Sequence, residues 1–255
     1  MGSFYFKKFT VKQERSAMKV NTDGVLLGAW VGISSLPSEN PVSVADIGTG
    51  TGVISLILAQ RISESGRAFK ISAIDIDSDS GAEASENFSD SEWRGSLFSH
   101  IVDAREFSVA SKLNGEKFDL VISNPPYFIN SLKPDCDRRL LSRHSDNSLS
   151  PSNLAMVADN MLSESGLFAV ILPVEEEGLL FNQMSIQGFY CKRRCFVKTT
   201  PDKQPKRVMS EYIRAGGLSK KRRSDCEDEE LIIQEKSGEF TAAYKSLTKS
   251  LYLRF

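Results

Sequence analysis

A glycine-rich turn is the first feature whose residue types and spacing could bind a ligand. It reads Asp46-Ile-Gly48-Thr-Gly50-Thr-Gly52 and directly follows a short β-branched run. Glycines allow a tight turn and let the backbone pass close to a ligand. The dinucleotide fingerprint GxGxxG fails here, because its third glycine would fall on Val53 or Ser55. The spacing argues against a nicotinamide enzyme, and a turn that only packs a strand against a helix is the alternative without a ligand.

Carboxylates lie at the ends of the next two predicted strands. Asp75 lies 23 residues after Gly52, close to the roughly 20-residue spacing at which an acid meets ribose hydroxyls in nucleotide-binding sheets. A carboxylate accepts two hydroxyl hydrogen bonds at once, which explains this residue type. Asp77 is the alternative, although one residue of every two at a strand end points away. Asp103 follows a later strand and could equally be the N-cap of a helix.

The tetrapeptide Asn124-Pro125-Pro126-Tyr127 follows a fourth predicted strand, at the carboxyl edge where open α/β sheets bind ligands. Two prolines fix φ and remove two N–H donors, so the Pro125 carbonyl can face a ligand. Found alone, the tetrapeptide could be a turn at the end of a strand. Its position one strand-to-strand interval after the glycine turn and Asp75 favours a functional role.

Alternating strands and helices must position these residues. Short apolar or β-branched runs predict strands at Val42–Ile47, Ile71–Ile76, Leu97–Val102, Phe118–Ser123 and Gly166–Leu172. Helical spacing predicts helices at Val53–Ile62, Ser80–Phe88 and Ser152–Leu162. This alternation is typical of βαβ units and of an α/β protein whose parallel sheet is covered by helices on both faces.

The C-terminal part of the chain has a different pattern. Phe189–Val197 and Arg207–Arg214 predict two strands joined by a polar loop with no helix between them, which is an antiparallel hairpin. The prediction is a seven-stranded, mostly parallel sheet with a C-terminal antiparallel hairpin. No linker or internal repeat interrupts the chain, so we expect one domain over residues 1–255, with 1–35 as an N-terminal segment and 36–255 as the catalytic sheet.

The sheet pattern and the DxGxGxG turn resemble class I S-adenosylmethionine-dependent methyltransferases, which have a Rossmann-like fold. The resemblance implies S-adenosylmethionine as the cofactor, with Asp46 at its ammonium, Asp75 at its ribose and Asp103 at its adenine amino group. The residues implied at the cofactor are Thr22, Asp23, Asp46, Gly48, Thr49, Gly50, Gly52, Asp75, Ile76, Asp103, Ala104 and Asn124.

The Asn124–Tyr127 tetrapeptide resembles the NPPY motif of methyltransferases that modify planar amide or exocyclic amino nitrogens. Such a nitrogen is a poor nucleophile because its lone pair is delocalised. The resemblance implies that the Asn124 side-chain oxygen and the Pro125 carbonyl each accept one N–H, which orients the lone pair and stabilises the developing positive charge. Tyr127 would stack on the base. Asn124, Pro125, Pro126 and Tyr127 are therefore the candidate catalytic residues, and no general base is required.

The N-terminal stretch Met18–Trp30, preceded by Phe4–Phe9, resembles the signature of bacterial tRNA1(Val) adenine-N6-methyltransferases. The resemblance continues, in order, through Arg143-His144, Gly166–Pro173, Pro205–Val208 and Tyr244–Lys249. It implies a tRNA partner whose anticodon-loop adenine is flipped into the pocket. In that interpretation Thr22 and Asp23 help close the cofactor pocket, and a helix cap is the alternative.

NPPY does not by itself choose a substrate. An rRNA base methyltransferase, a protein-glutamine methyltransferase and a non-catalytic RNA-binding protein that binds the cofactor stay open as alternatives. Only 45 residues precede Asp46, so we expect no separate helical domain of the kind usual in glutamine-modifying relatives. We also expect no large target-recognition domain of the kind common in DNA enzymes of this type.

Charge is unevenly distributed, although 32 Lys plus Arg nearly balance 33 Asp plus Glu. Residues 192–223 hold 12 basic and 2 acidic side chains, and residues 7–19 hold 5 basic side chains against Glu14. Such segments predict phosphate contacts, although charge runs also mark ordinary solvated surface. The candidate RNA contacts are Lys7, Lys8, Arg138, Arg143, Lys192, Arg193, Arg194, Lys206 and Arg207. Residues 130–150 and 217–230 predict mobile polar loops.

Composition excludes several classes of protein. A net charge of −1 excludes an indiscriminate nucleic-acid coat. No apolar run approaches the roughly 18 residues that cross a bilayer, so no membrane partner is expected. Four cysteines form no CxxC pair and only two His are present, so we expect reduced thiols, a cytoplasmic location and no metal site. No protein partner is predicted.

Overall fold

The computed structural model describes residues 2–37, 41–126, 149–215 and 226–254. Their strands are β1 (Ser3–Tyr5), β2 (Thr10–Lys12), β3 (Val42–Ile47), β4 (Phe69–Asp75), β5 (Leu97–Ile101), β6 (Phe118–Ser123), β7 (Leu162–Pro173), β8 (Phe189–Lys198), β9 (Arg207–Arg214) and β10 (Glu227–Ile232). Their helices are α1 (Thr22–Trp30), α2 (Val53–Glu64), α3 (Ser78–Ser89), α4 (Ala104–Asn114), α5 (Pro151–Met161), α6 (Val174–Ile186) and α7 (Ala242–Thr248).

Eight strands form one mixed sheet in the order β10-β8-β9-β7-β6-β3-β4-β5. Within it, β9 is antiparallel to both of its neighbours, and the other neighbouring pairs are parallel. The Rossmann-like sheet with a C-terminal antiparallel hairpin is therefore confirmed. The count of seven strands is wrong, because the acidic run Glu227–Ile232 joins the edge beside β8. We expected a loop there, since acidic residues rarely form strands unless basic side chains on a neighbouring strand neutralise them.

Alternate side chains of the central strands enter two separate hydrophobic cores. Val44 and Ile122 pack with residues of α1, α2 and α3 on one face. Ala45 and Val121 pack with residues of α4, α5 and α6 on the other. Helices thus cover both faces, as predicted. Because β3, β4, β5, β6 and β7 are parallel, their carboxyl ends lie along one edge, where the functional turns begin.

Several elements were not predicted. The buried residues of α4 are Ala104, Ser108 and Ser111, so the buried face of this helix offers few large apolar side chains by which a sequence pattern could be recognised. α6 begins directly after Pro173 with three acidic residues in its first turn, a placement that the helix dipole favours. Among the described helices, none is long and apolar enough to cross a membrane.

The structure joins Cys191 and Cys226 in a disulfide, with Cα atoms 5.3 Å apart. The expectation of reduced thiols is wrong for this pair. Cys191 lies on β8 and Cys226 directly precedes β10, so the parallel pairing of these strands brings together residues 35 positions apart. Cys195 is a free, buried cysteine, and burial raises the pKa of its thiol to about 12.

Candidate active site

Asp46 is a fully buried residue of β3 beside the glycine turn. Its Oδ2 accepts hydrogen bonds from the hydroxyls of Thr49 and Ser55, both at 2.7 Å. Its Oδ1 is buried and accepts no hydrogen bond from the described part of the chain. Burial raises the pKa of Asp46 to about 6. Buried polar atoms are normally paired, so this oxygen can accept an N–H from a cationic ligand.

The three glycines of the turn have φ values of +71°, +57° and +80°, in the left-handed region that favours glycine. A Cβ on Gly52 would lie 2.5 Å from the Phe88 ring of α3, so this end of the turn is tightly packed. A Cβ on Gly48 would meet nothing within 4 Å. The exposed Gly48 end therefore leaves room for a ligand to contact the backbone.

Asp75 connects the loops that follow β3 and β4. Its Oδ2 accepts a hydrogen bond from the Gly50 N–H at 2.8 Å, and its Oδ1 accepts one from the Asp77 N–H at 3.0 Å. Burial raises the pKa of Asp75. Asp77, the alternative, caps α3 by accepting hydrogen bonds from the N–H and hydroxyl of Ser80. Asp75 is thus the better candidate ribose ligand, and the exposed Ile76 follows it.

Asp103 caps α4, which is the alternative that the sequence left open. Its Oδ1 accepts a hydrogen bond from the Arg105 N–H at 2.7 Å, and the Arg105 guanidinium pairs with the same carboxylate. The hydrogen bonds from Arg105 hold the pKa of Asp103 below its usual value. Ala104 is buried as the first residue of the helix. A contact between Asp103 and an adenine stays a prediction.

Asn124-Pro125-Pro126 leaves β6 at the carboxyl edge of the sheet. The Ser123 hydroxyl donates a hydrogen bond of 2.8 Å to the Ile47 carbonyl, which fixes the end of β6 against β3, the strand that leads into the glycine turn. Asn124 is half-buried, Pro125 is buried and Pro126 is exposed. Tyr127 lies outside the described residues. The motif and the glycine turn therefore begin side by side, as their spacing predicted.

Residues 12–18, here called the strap, cross α3 and reach the glycine turn. Glu83 of α3 is buried, and its carboxylate accepts backbone hydrogen bonds from Glu14, Arg15 and Ser16 at 2.6, 2.9 and 2.9 Å. Three converging N–H groups hold the strap through its backbone, and the exposed side chain of Arg15 adds an ion pair with Glu86 at 2.8 Å. The sequence did not predict this contact, because Glu83 lies in an acidic stretch that is typical of a solvated helix face.

Asn87, one turn further along α3, makes a second contact with the strap. It is buried, accepts a hydrogen bond from the Lys12 N–H and donates to the carbonyls of Lys12 and Thr51. A Cβ on Gly50 would lie 3.7 Å from the Ser16 hydroxyl, so the strap lies against the turn. The spacing of Glu83 and Asn87, four residues apart on one helical face, is the signal that could have indicated a shared role.

The N-terminus of α1 carries Thr22 and Asp23. Its N-cap is Asn21, whose side chain accepts a hydrogen bond from the Gly24 N–H at 2.9 Å. The helix-cap alternative is therefore wrong for Thr22 and Asp23. Asp23 instead pairs with Arg207 of β9 at 2.8 Å, and Thr22 is exposed. The sheet thus brings both residues beside the C-terminal hairpin.

Comparison with known proteins identifies the family. The family model described as "Methyltransferase small domain" matches residues 22–172. A tRNA1(Val) (adenine(37)-N6)-methyltransferase from Bacteroides fragilis is 38% identical over 251 residues, which is 98% of each chain. A relative of the same name from Trichodesmium erythraeum is 38% identical and covers 99% of this chain and 98% of its own. The chain belongs to the tRNA1(Val) (adenine(37)-N6)-methyltransferase family. The resemblance seen in the sequence is thereby confirmed.

Solved structures agree with a methyltransferase fold. The predicted O-methyltransferase Atu636 from Agrobacterium tumefaciens has a TM-score of 0.61 at 17% identity, with 90% of this chain and 96% of that chain covered. A SAM-dependent methyltransferase from the same organism has a TM-score of 0.57 at 14% identity and covers 84% of this chain and 70% of its own. With the family model and the curated relatives, the chain is a methyltransferase, as the sequence predicted.

In this methyltransferase, Lys7 and Lys8 of the N-terminal segment, both predicted to contact RNA, bind other residues of the chain. The Lys7 ammonium donates a hydrogen bond to the Lys249 carbonyl at 2.6 Å, and Lys8 pairs with Glu64 at 3.0 Å. Both lysines are exposed. Because exposed pairs of this kind contribute little to stability, phosphate could displace them.

Arg193 and Arg194 of β8 form ion pairs that include buried carboxylates of the protein. Arg193 pairs with the buried Glu211 at 2.7 Å and lies 4.0 Å from the centre of the Trp30 ring. Arg194 is 7% exposed and pairs with Glu177 and Asp228. Removing these guanidinium groups from their carboxylates would leave buried charges unpaired. An RNA contact by Arg193 or Arg194 stays a prediction, and the carboxylate partners already neutralise both guanidinium groups.

The remaining candidates differ in their surroundings. Lys206 is exposed directly before β9, Lys192 is half-buried on β8, and Arg207 pairs with Asp23. Arg138 and Arg143 lie outside the described residues, as does most of the predicted loop 130–150. In the described part of the chain, Lys7, Lys8, Lys192 and Lys206 are therefore the candidates best placed to contact RNA.

Proposed function

We propose that this methyltransferase transfers a methyl group from S-adenosylmethionine to N6 of the adenine beside the anticodon in a tRNA of the tRNA1(Val) type. The names of relatives up to 38% identical over 98% of the chain support this substrate. One structural observation supports the chemistry. Asn124 and Pro125 lie beside the start of the glycine turn, because the hydrogen bond from the Ser123 hydroxyl to the Ile47 carbonyl joins the ends of β6 and β3.

The residues at the turn fit the cofactor. The unused, buried Oδ1 of Asp46 would accept an N–H of the ammonium, and the Asp75 carboxylate would accept the ribose hydroxyls alongside its two backbone donors. The open side of Gly48 would let the backbone approach the methionine part. When bound, the cofactor supplies an electrophilic methyl on a sulfonium. We infer that Thr22 and Asp23 help to close this pocket.

Asn124 and Pro125 would act on the substrate nitrogen. The Asn124 Oδ1 and the Pro125 carbonyl each accept one N–H of the amino group, which turns its lone pair toward the methyl. These oxygens also stabilise the positive charge that develops on the nitrogen. The proton leaves after the transfer, so no residue has to act as a general base. Tyr127 would stack on the adenine ring.

An anticodon loop suits this site because its bases are not paired in a duplex. Extrusion of a loop base into the Asn124–Pro125 pocket costs less free energy than flipping a base out of a helix. The exposed lysines at the hairpin would contact the RNA backbone. Because the substrate is tRNA, we place the reaction in the cytoplasm.

The Asn124→Ala substitution tests the assignment. Loss of one preorganised hydrogen-bond partner is expected to lower kcat about 100- to 1,000-fold. The cofactor Kd, measured by calorimetry, should stay within about twofold. Asn114→Ala, the same change at an exposed position of α4, is the matched control. Activity is measured as N6-methyladenosine by mass spectrometry of nucleosides from incubated tRNA, with fragment mapping.

Two results would contradict the proposal. Turnover by Asn124→Ala at the wild-type rate would refute the role of the amide. Transfer of radiolabelled methyl groups by the wild-type protein into rRNA or a protein fraction, with none in tRNA, would refute the substrate.

A further inference from the structure

Three segments that are distant in the sequence meet at a cleft of about 570 Å³ beside the hairpin, here called the hairpin cleft. Thr22 and Asp23 come from α1, Lys206 and Arg207 from the start of β9, and Tyr244 from α7. Each segment belongs to a stretch that carries the family resemblance outside the central strands. The proposed chemistry at Asn124 and Pro125 does not use the Lys206 or Tyr244 side of this cleft.

The strand register places the cleft at the carboxyl edge of the sheet, where the proposed catalytic residues also lie. Arg207 pairs with Pro173 of β7, and β7 pairs with β6, which ends at Ser123 directly before Asn124. Two strand spacings correspond to about 10 Å across the sheet. The cleft is therefore within reach of a neighbouring nucleotide when one base occupies the Asn124 pocket.

The lining of the cleft combines cations with aromatic rings. Lys206 and Arg254 are exposed. Arg207 is oriented by its 2.8 Å ion pair with Asp23, the single carboxylate among the described lining residues. Phe240 is 36% exposed and stacks on Tyr244, with ring centres 5.0 Å apart and an interplanar angle of 23°. An exposed ring beside two cations can stack on a base while the cations contact phosphate.

We propose that the hairpin cleft binds a nucleotide of the tRNA substrate that flanks the methylated adenine. Its base stacks on Phe240, and Lys206 and Arg254 contact the adjacent phosphates. Arg207 is a positioning residue, because its pair with Asp23 joins the hairpin to α1. This inference rests on the proposed tRNA substrate and adds a second contact that helps select it.

The test uses the full-length protein and an unmodified tRNA1(Val) transcript. Phe240→Ala is expected to raise the tRNA Kd about fivefold or more, because it removes one stacked base. The Lys206→Ala/Arg254→Ala double variant is expected to lower the slope of log Kd against log salt by about 0.7 to 0.9 for each phosphate that the protein no longer neutralises. Neither variant should change the cofactor Kd, because Phe240, Lys206 and Arg254 are not among the residues implied at the cofactor. Phe240→Tyr retains the ring, so wild-type tRNA binding by it separates stacking from folding.

The chain offers a matched control at the opposite edge of the sheet. Phe98 of β5 is 40% exposed, and the Lys70 ammonium lies 5.5 Å from the centre of its ring. Phe98→Ala and Lys70→Ala remove an equivalent ring and charge far from the hairpin. Both variants are expected to bind tRNA as the wild type does.

The outcomes separate this inference from the proposed function. If the wild type methylates tRNA while the cleft variants bind tRNA normally, the inference is overturned and the proposed function stands. If the variants raise the cofactor Kd instead, the cleft belongs to the cofactor pocket and the inference is overturned. If the wild type neither binds nor methylates tRNA, both fail.

Discussion

We call the carboxyl ends of β3 and β4, which carry Asp46 and Asp75, the cofactor edge, and the strands β8, β9 and β10 the hairpin edge. These two regions of the sheet use charged residues in opposite ways. At the cofactor edge, Asp46 and Asp75 accept hydrogen bonds from hydroxyl and backbone donors, and neither has a cationic partner among the described residues. At the hairpin edge, Arg193 and Arg194 already pair with carboxylates. A charged residue is more available to a ligand where the fold leaves its charge unneutralised or pairs it only at the surface.

The strand β10 contributes to this difference, together with Glu211 of β9 and Glu177 of α6. Its acidic residues lie parallel to β8, where Asp228 pairs with Arg194 and Glu230 pairs with Lys198 at 2.6 Å. Of the eight basic side chains within residues 192–215, five pair with carboxylates of this chain. The RNA-facing charge at this edge is carried by fewer residues than the sequence suggested.

The largest expected effect is on stability at the hairpin edge. Glu211→Ala leaves the Arg193 guanidinium without its buried partner, which should lower the free energy of unfolding by about 3–5 kcal/mol. Glu230→Ala breaks the more exposed pair with Lys198 and should cost at most about 1 kcal/mol. Urea unfolding measures both. Equal, small effects would show that the buried pair is not structural.

The next largest effect is expected at the cofactor edge. Asp75→Ala removes a charged acceptor of two ribose hydroxyls and should raise the cofactor Kd about 100-fold. Asp77→Ala removes only the cap of α3, so it should lower stability by about 1 kcal/mol and leave the cofactor Kd within about twofold. Calorimetry and thermal unfolding distinguish the two. An unchanged Kd for Asp75→Ala would refute the ribose assignment.

The elevated pKa of Asp46, about 6, predicts a pH dependence. Burial favours the protonated form, so the carboxylate that would bind the ammonium is lost as the pH falls through 6. The cofactor Kd should therefore rise about tenfold between pH 7 and pH 5. In Asp46→Asn the dependence should disappear, with a weaker Kd throughout. A flat profile in the wild type would exclude Asp46 as the titrating ligand.

Glu83→Gln tests whether the strap contributes to the cofactor edge. The neutral amide weakens three charge-assisted hydrogen bonds, and we expect the cofactor Kd to rise about fivefold while the KM for tRNA is unchanged. Glu86→Gln, one turn away on the exposed face and paired with Arg15, is the control and should change neither value. Faster hydrogen exchange at residues 14–16 without a change in Kd would limit Glu83 to a structural role.

The smallest effect is expected at Lys192. Lys192→Gln should weaken tRNA binding about twofold to threefold and reduce the salt slope by about 0.7 to 0.9. Arg194→Gln should lower the free energy of unfolding without changing the slope, because its charge is already paired. A lower slope in Arg194→Gln would reverse the comparison between neutralised and available charges.

Local motifs could be predicted from the sequence because short windows determine them. Val42–Ile47, Phe118–Ser123 and Arg207–Arg214 are strands with the predicted bounds. The glycine turn and the Asn124–Pro126 stretch begin at the carboxyl edge because the strands before them are parallel. β10 and the Glu83 contact with the strap were not predicted, since each depends on a partner at least 30 residues away.

The sequence by itself therefore determined the methyltransferase sheet, the positions of the glycine turn and the Asn124–Tyr127 motif along it, and the family. Backbone geometry and the periodicity of apolar residues are local properties, so they can be read without the fold. Tertiary structure alone decided that Asp23 pairs with Arg207, that Glu83 binds the backbone of the strap, and that acidic residues of β10 pair with Arg194 and Lys198 of β8. The physical reason is that a charge acts through its nearest partners, and folding selects those partners from distant parts of the chain.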